Sequence, residues 1–231
     1  MQRPLQNTMS THSHIESNIH RIQQQLPAHC KLIVVSKYRE VAEIQAAYDA
    51  GHRAFAENRV QALLERVEAL PSDIQWHLIG HLQTNKVKYI ASFIHMIHAV
   101  DSLKLLQEIN KEAAKHNRVI PCLIQLHVAH EETKFGLDPT ALDAFFTQAK
   151  QEELNHVRLV GLMAMASNTD NQQQINEEFE RVADAFQRTK QAHFAGDDDF
   201  CELSIGMSSD YPIAISHGST LIRVGSAVFA Q

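Results

Sequence analysis

The 231-residue chain is 44% hydrophobic and 21% charged, the balance of a folded domain and not of a disordered one. Its 21 Lys and Arg against 27 Asp and Glu leave a net charge of −6, which denies it the positive field that non-specific nucleic-acid binding requires. No run of like charges marks an interaction tail, and the length suits one large domain with a sizeable core.

Cys30, Cys122 and Cys201 are odd in number, widely spaced and without a CxxC pair, so neither a disulfide framework nor a zinc site is expected. Residues 1–17 are polar and lack the apolar stretch of a signal peptide. No apolar run reaches the ~18 residues of a membrane helix. A reducing cytoplasm is the expected compartment. The 15 histidines raise the question of metal. His12 and His14 fall in residues 1–14, a polar stretch expected to be poorly ordered. His95 and His98, three apart in an apolar run, are expected to face opposite sides of a strand and so to share no ion. With no HExxH motif and no Cys/His cluster, no metal site is expected.

In chain order, Ile15, Ile19, Ile22 and Leu26 suggest an N-terminal helix that plugs the domain or packs on it. Residues 31–36 form a β-branched run, the first strand. Val41, Ile44 and Ala47 then repeat at helical spacing and Gly51 supplies the stop. Residues 53–56 are a second strand; Val60, Leu63, Leu64, Val67 and Leu70 make a helix face closed by Pro71. Residues 74–79 read as strand three, 84–91 as a short helix and 94–99 as strand four. Asp101 is placed to cap a helix carrying Leu103, Leu106, Ile109 and Ala113 inward.

Residues 119–127 are strand five, with Pro121 near its start, where a missing N–H is tolerated. Asp138-Pro139 is a helix-start signal for a face of Leu142, Phe145, Phe146 and Ala149. Residues 157–163 are strand six, followed by a long helix with Ile175, Phe179, Val182 and Phe186 on one stripe. Residues 201–206 are strand seven, 209–216 a short helix and 220–225 strand eight.

Eight strands alternating with helices imply parallel strands joined by right-handed crossovers, and eight is the closure number of a (β/α)8 TIM barrel. An open doubly wound sheet is the alternative, but none of the eight glycines falls in a GxGxxG or P-loop spacing. In such barrels the chemistry sits at the C-terminal ends of the strands. That rule selects Lys37 after strand one, Glu57 and Asn58 after strand two, and His81 after strand three. It also selects Ser208 after strand seven and Arg223, Gly225 and Ser226 at strand eight.

Lys37, held by an apolar strand at the mouth, is expected to be partly desolvated and nucleophilic. A lysine snorkelling into water is the competing reading. Gly206, Met207, Ser208 and Ser209 join strand seven to a helix start, where N–H groups, hydroxyls and the helix dipole form an anion site. Gly218-Ser-Thr220 and Gly225-Ser226 add small residues where backbone can approach a phosphate; ordinary turns are the alternative. Together with the lysine they suggest a phosphorylated aldehyde.

Seven segments now stand out: Val35-Ser36-Lys37, Glu57-Asn58, Trp76-His77-Leu-Ile-Gly80-His-Leu-Gln83-Thr-Asn85-Lys86, Lys134-Phe-Gly136, Gly161-Leu-Met163, Leu203-Ser-Ile-Gly206-Met-Ser208 and Gly218-Ser-Thr-Leu-Ile-Arg223-Val-Gly225. In this order they resemble the motif series of the pyridoxal phosphate homeostasis proteins. The resemblance implies a barrel of the alanine racemase N-terminal domain type, with the extra N-terminal helix, forming a single domain over residues 1–231. It implies pyridoxal 5'-phosphate as cofactor, held as a Schiff base on Lys37, with Arg223 at the pyridine nitrogen and Asn58 beside the ring. Ser208, Gly225 and Ser226 would hold the phosphate, and Met207 lies in the same loop. A role in vitamin B6 balance follows, with apo pyridoxal phosphate enzymes as recipients. The chain departs from the family at Ala56, where glycine is usual, at Ile205, where methionine is usual, and at its ending, Ser226-Ala-Val-Phe-Ala-Gln231.

No catalytic residue is expected. Racemization needs a second base opposite the lysine, normally a tyrosine from an additional β-domain, and eight βα units consume this chain. An arginine at the ring nitrogen keeps its protons, leaving the cofactor a weak electron sink. A monomer is the expected state. Two alternatives from other classes are a weak racemase or lyase using Lys37, and a cofactor-free, aldolase-like barrel acting on a sugar phosphate.

Overall fold

The computed structural model describes residues 12–129 and 135–231. Eight parallel strands close on themselves in chain order: β1 (Lys31–Val35), β2 (Ala54–Glu57), β3 (Gln75–Leu78), β4 (Met96–Val100), β5 (Ile120–Leu126), β6 (Val157–Ala164), β7 (Glu202–Ser204) and β8 (Leu221–Val224). The seam is β1 against β8, with Lys31 opposite Leu221 and Val34 opposite Val224, so the sheet keeps no open edge. This is the expected (β/α)8 barrel.

The helices are α1 (Ser13–Gln25), α2 (Val41–Asp49), α3 (Val60–Ala69), α4 (Leu103–Ala114), α5 (Leu142–Ala149), α6 (Gln172–His193), α7 (Tyr211–Ser216) and α8 (Ser226–Phe229). Between β3 and β4 the connection takes 3-10 form, Thr84–Tyr89, with its buried anchor at Val87. The cap of α4 is Ser102, whose hydroxyl accepts from the Leu105 N–H, and not Asp101, which turns instead to His81. Asp138 caps as expected, accepting from the Thr140 N–H at 2.8 Å, but it opens a single 3-10 turn, Pro139–Ala141, that leads into α5.

The predicted stripes are buried most fully in α5 and α6, whereas α3 buries Leu63 and leaves Val60, Leu64 and Val67 half-buried. In α6, Ile175, Phe179, Val182 and Phe186 are buried while Asn171 accepts from the Gln173 and Gln174 N–H groups at the start. Phe146, Phe186, Phe194 and Phe200 pack as an aromatic cluster under α5 and α6, with Phe194 and Phe200 stacked 4.1 Å apart. The core has two layers: one between sheet and helices, and a smaller one inside the barrel built from Ile33, Val35, Met96, Leu123, Met163 and Leu221 among others.

Helix α1 buries Ile15, Ile19 and Ile22 and packs on the outside, against α2, α8 and β1, instead of plugging the barrel. Asn18 Nδ2 donates to the carbonyls of Val228 (3.1 Å) and Ala230 (2.9 Å), which ties α1 to α8. Because α1 begins at Ser13, the last two residues of the stretch expected to be poorly ordered are helical; residues 1–11 and Lys134 lie outside the described part. Cys30 and Cys122 are buried and Cys201 is exposed, all three as free thiols. No helix among the described residues is long and apolar enough to cross a membrane.

Candidate functional site

The C-terminal mouth of the barrel gathers most of the selected residues by register. Val35 pairs with Ala56 and the Ser36 N–H still reaches the Ala56 carbonyl, so Lys37 and Asn58 leave neighbouring strands at the same end of the barrel. On the other flank Val34 pairs with Val224, which sets Gly225 against Val35; a Cβ there would lie 3.0 Å from the Val35 carbonyl oxygen. Small size at residue 225 thus lets the end of β8 approach the strand that carries the lysine. Ala56, where the family usually has glycine, sits in β2 fully buried and regularly paired.

β1 ends at Val35, and the chain turns at once: the Arg39 N–H donates to the Ser36 carbonyl at 3.0 Å and Tyr38 takes φ 65°. A non-glycine residue in that region costs roughly 1–2 kcal/mol, so the corner holding Lys37 is a strained one. Lys37 itself is exposed, contrary to the desolvation expected of it, because it lies two residues beyond the strand on this corner and not within the apolar run. Directly beneath, Glu57 is buried and accepts from the Ser36 hydroxyl at 2.7 Å. Burial pushes the Glu57 carboxyl upward, against the lowering pull of Ser36, Arg66 and Lys37.

Ser208 and the start of α8 form a small cup. The Gly225 and Ala227 N–H groups both donate to the Ser208 hydroxyl, at 3.3 and 3.4 Å. Ser226, which opens α8, is exposed beside it. Met207 behaves differently from the expectation for its loop: its N–H donates to the buried Asp210 carboxylate at 2.5 Å and is not free for an anion. Helix α7 also starts at Tyr211, two residues later than expected, so Ser209 stands outside it.

Arg223 points into the barrel, 3% exposed. Its Nη1 donates to the Ser204 carbonyl and hydroxyl, both at 2.7 Å, and its Nη2 to the Ala164 carbonyl at 2.9 Å. Burial lowers it to about 10, with Asp210 opposing the shift. A guanidinium carries five N–H donors and no acceptor, so the group suits a ligand atom that accepts. Asn58 is half-buried and lines a groove of about 440 Å³ with Arg59, His81, Gln83, Lys86 and Tyr89. In it His81 stacks on Phe135 at 3.9 Å and faces Asp101 at 3.2 Å.

His95 is exposed and His98 fully buried, as neighbours on opposite sides of a strand would be. His77 pairs with Met96, which sets it between His95 and His98, and both of those rings lie 5.1 Å from its own. His77 Nδ1 and His98 Nε2 are 2.9 Å apart, and His98 Nδ1 is 3.0 Å from the Ser204 hydroxyl. Sequence reasoning left His77 and Ser204 out; period-two alternation in β3 and β7 was the one available signal, and it gives the face but not the partner. Among the described residues no group of three or more His, Cys, Asp or Glu side chains is placed to hold a metal.

The fit to a phosphorylated pyridine aldehyde can be judged from these residues alone: an amine at the rim, a hydroxyl-and-amide cup on the adjoining strand and a buried guanidinium between them. Comparison with known proteins agrees. Residues 11–231 match the family described as alanine racemase, N-terminal domain. The pyridoxal phosphate homeostasis protein of Haemophilus influenzae is 34% identical over 229 residues, 93% of this chain and 94% of that one. That of Aquifex aeolicus is 36% identical, covering 87% and 86%. The structure of PipY from Synechococcus elongatus with pyridoxal phosphate bound superposes with a TM-score of 0.84 at 34% identity, over 94% of this chain and all (100%) of that one. Alanine racemase from Bartonella henselae, at 17% identity and a TM-score of 0.69, shares the fold. The chain belongs to the pyridoxal phosphate homeostasis protein family, built on the alanine racemase N-terminal domain barrel.

Proposed function

We propose that this protein binds pyridoxal 5'-phosphate at the barrel mouth, covalently through Lys37, and serves vitamin B6 homeostasis in the cytoplasm without a dedicated reaction. The observation that carries the reading is the convergence of Lys37, the Ser208–Gly225–Ala227 cup and Arg223 on one end of one barrel. In it Lys37 supplies the amine, while Ser208, Gly225 and Ser226 hold the phosphate. Arg223 donates to the ring nitrogen and Asn58 flanks the ring; Met207 shapes the loop through its bond to Asp210. When bound, the group supplies an electrophilic aldehyde and a conjugated ring, and the donor-only guanidinium leaves that ring a weak electron sink.

The absence of a tyrosine base supports binding over turnover. Tyr48 donates to Asp73 and Tyr211 to Gln25, Tyr89 lies by Lys86 and Lys88, and Tyr38 is Lys37's own neighbour. Exposure of Lys37 suits a carrier that hands its cargo to apo enzymes and works as a monomer. The test is spectroscopic. Addition of pyridoxal phosphate should produce a near-visible band that Lys37→Ala abolishes; a full band in that variant refutes the assignment. Turnover of any amino acid in a broad panel would instead favour the weak racemase or lyase.

A further inference from the structure

Among the described residues, a continuous polar line crosses the mainly apolar interior of the barrel. It runs from Arg223 on β8 to Ser204 on β7, then across to His98 on β4 and His77 on β3. Its members are all buried: Ser204 and His98 at 0%, His77 and Arg223 at 3%. Around them stand Ile33, Val35, Met96, Leu123, Met163 and Leu221. Such a polar line is a poor source of stability compared with apolar filling of the same volume, and its use is to fix a direction.

Counting hydrogens gives that direction. Arg223 Nη1 is a donor, so the Ser204 oxygen accepts from it at 2.7 Å. The single hydroxyl hydrogen of Ser204 then goes to His98 Nδ1, the other polar side-chain atom bonded to it, at 3.0 Å. His98 must therefore carry its own proton on Nε2, and it donates to His77 Nδ1 at 2.9 Å. Every bond points away from the guanidinium, so each polarises the next in the same sense. The reverse arrangement would leave the buried Ser204 hydrogen without an acceptor. Both imidazoles must stay neutral for this, and burial enforces it: His77 is held down at about 3 and His98 well below its ordinary value, with Arg223 adding to the second shift.

We propose that His77, His98 and Ser204 are positioning residues: a hydrogen-bonded strut across the barrel that fixes the Arg223 guanidinium in one orientation. It thereby sets the direction from which the guanidinium offers its remaining N–H groups to a ligand. The inference rests on the cofactor reading only for the identity of the ligand; the strut itself is a property of the protein alone. Rotation of the guanidinium is blocked because Nη1 is held by two acceptors on Ser204 and Nη2 by the Ala164 carbonyl.

The experiment uses the whole chain with 15N-labelled arginine and histidine, and 15N-labelled pyridoxal phosphate as probe. Ser204→Ala and His98→Leu should each speed solvent exchange of the Arg223 side-chain N–H groups at least tenfold in the cofactor-free protein. Each should move the ring-nitrogen resonance of the bound probe and weaken binding about 5–10-fold, while the Lys37-dependent band persists. The double variant should add nothing further, as expected of groups acting in series. Ser204→Ala removes one buried oxygen only, so it remains informative where His98→Leu fails to fold. Unchanged exchange and an unchanged ring-nitrogen resonance in Ser204→Ala would overturn the strut. A wild-type protein that takes up no probe would defeat the cofactor reading, and the exchange measurement would still decide the strut.

Discussion

Gly80 lies just beyond β3, where its Cα approaches the backbone of Asn58 more closely than a side chain allows. A Cβ on Gly80 would overlap the Asn58 carbonyl oxygen and stand 2.8 Å from its carbonyl carbon and 2.9 Å from its Cα. Non-bonded carbons prefer roughly 3.5–4.0 Å and the carbonyl oxygen is closer still, so Gly80→Ala must drive the two backbones apart by about 1 Å. The Ile79 N–H to Glu57 carbonyl bond, 3.0 Å, ties both segments to the sheet and leaves little freedom to yield. Overpacking of this kind costs about 1–3 kcal/mol. For a domain of this size about 2 kcal/mol corresponds to a fall in Tm of roughly 4–8 °C. Asn58 follows β2 at the mouth to which the neighbouring β1 delivers Lys37, so the same displacement should weaken pyridoxal phosphate binding severalfold. Differential scanning fluorimetry and a titration of the near-visible band measure the two effects. A Tm within about 1 °C of wild type, with unchanged affinity, would refute the close-approach argument.

Two further outcomes are expected. Burial holds His52 at about 4 and His77 at about 3, both below the value of 6.5 that the unfolded chain approaches. The folded state therefore keeps them neutral, stability is full above pH ~6.5, and it is lost as pH falls toward the folded values. At pH 5 each imidazole should cost about 2 kcal/mol relative to pH 7.5, read as a fall in the urea midpoint; a flat midpoint down to pH 5 would contradict it. Phe200 is fully buried within the aromatic cluster, so Phe200→Ala should cost about 3–5 kcal/mol. Chemical denaturation would measure this, and a loss under about 1 kcal/mol would mean the cluster collapses freely into the gap.

The barrel was readable because each strand is a short apolar run bounded by a helix with its own stripe, and the two periods alternate without interruption. Local chemistry located the start before α5 through Asp138-Pro139. It misplaced the cap of α4 by one residue, since Asp101 and Ser102 are both capable and only His81, brought over from the β3 loop, decides between them. The mouth was legible residue by residue, because position after a strand implies position at the rim. Exposure at Lys37 was not, since it depends on how sharply the chain turns at Tyr38. Nor was the Asp210 carboxylate taking the Met207 N–H, which needs the loop's geometry. The interior strut was least accessible: alternation says His77, His98 and Ser204 point inward, but only the closed sheet brings β4 and β7 face to face.

The seam between β1 and β8 also sets a schedule for synthesis. A nascent chain leaves the ribosome with Lys37 long before Arg223 and Gly225 have been translated. Until β8 pairs with β1, the two ends of the chain that meet at the mouth stand apart. Any ligand that needs contacts from both therefore waits for barrel completion.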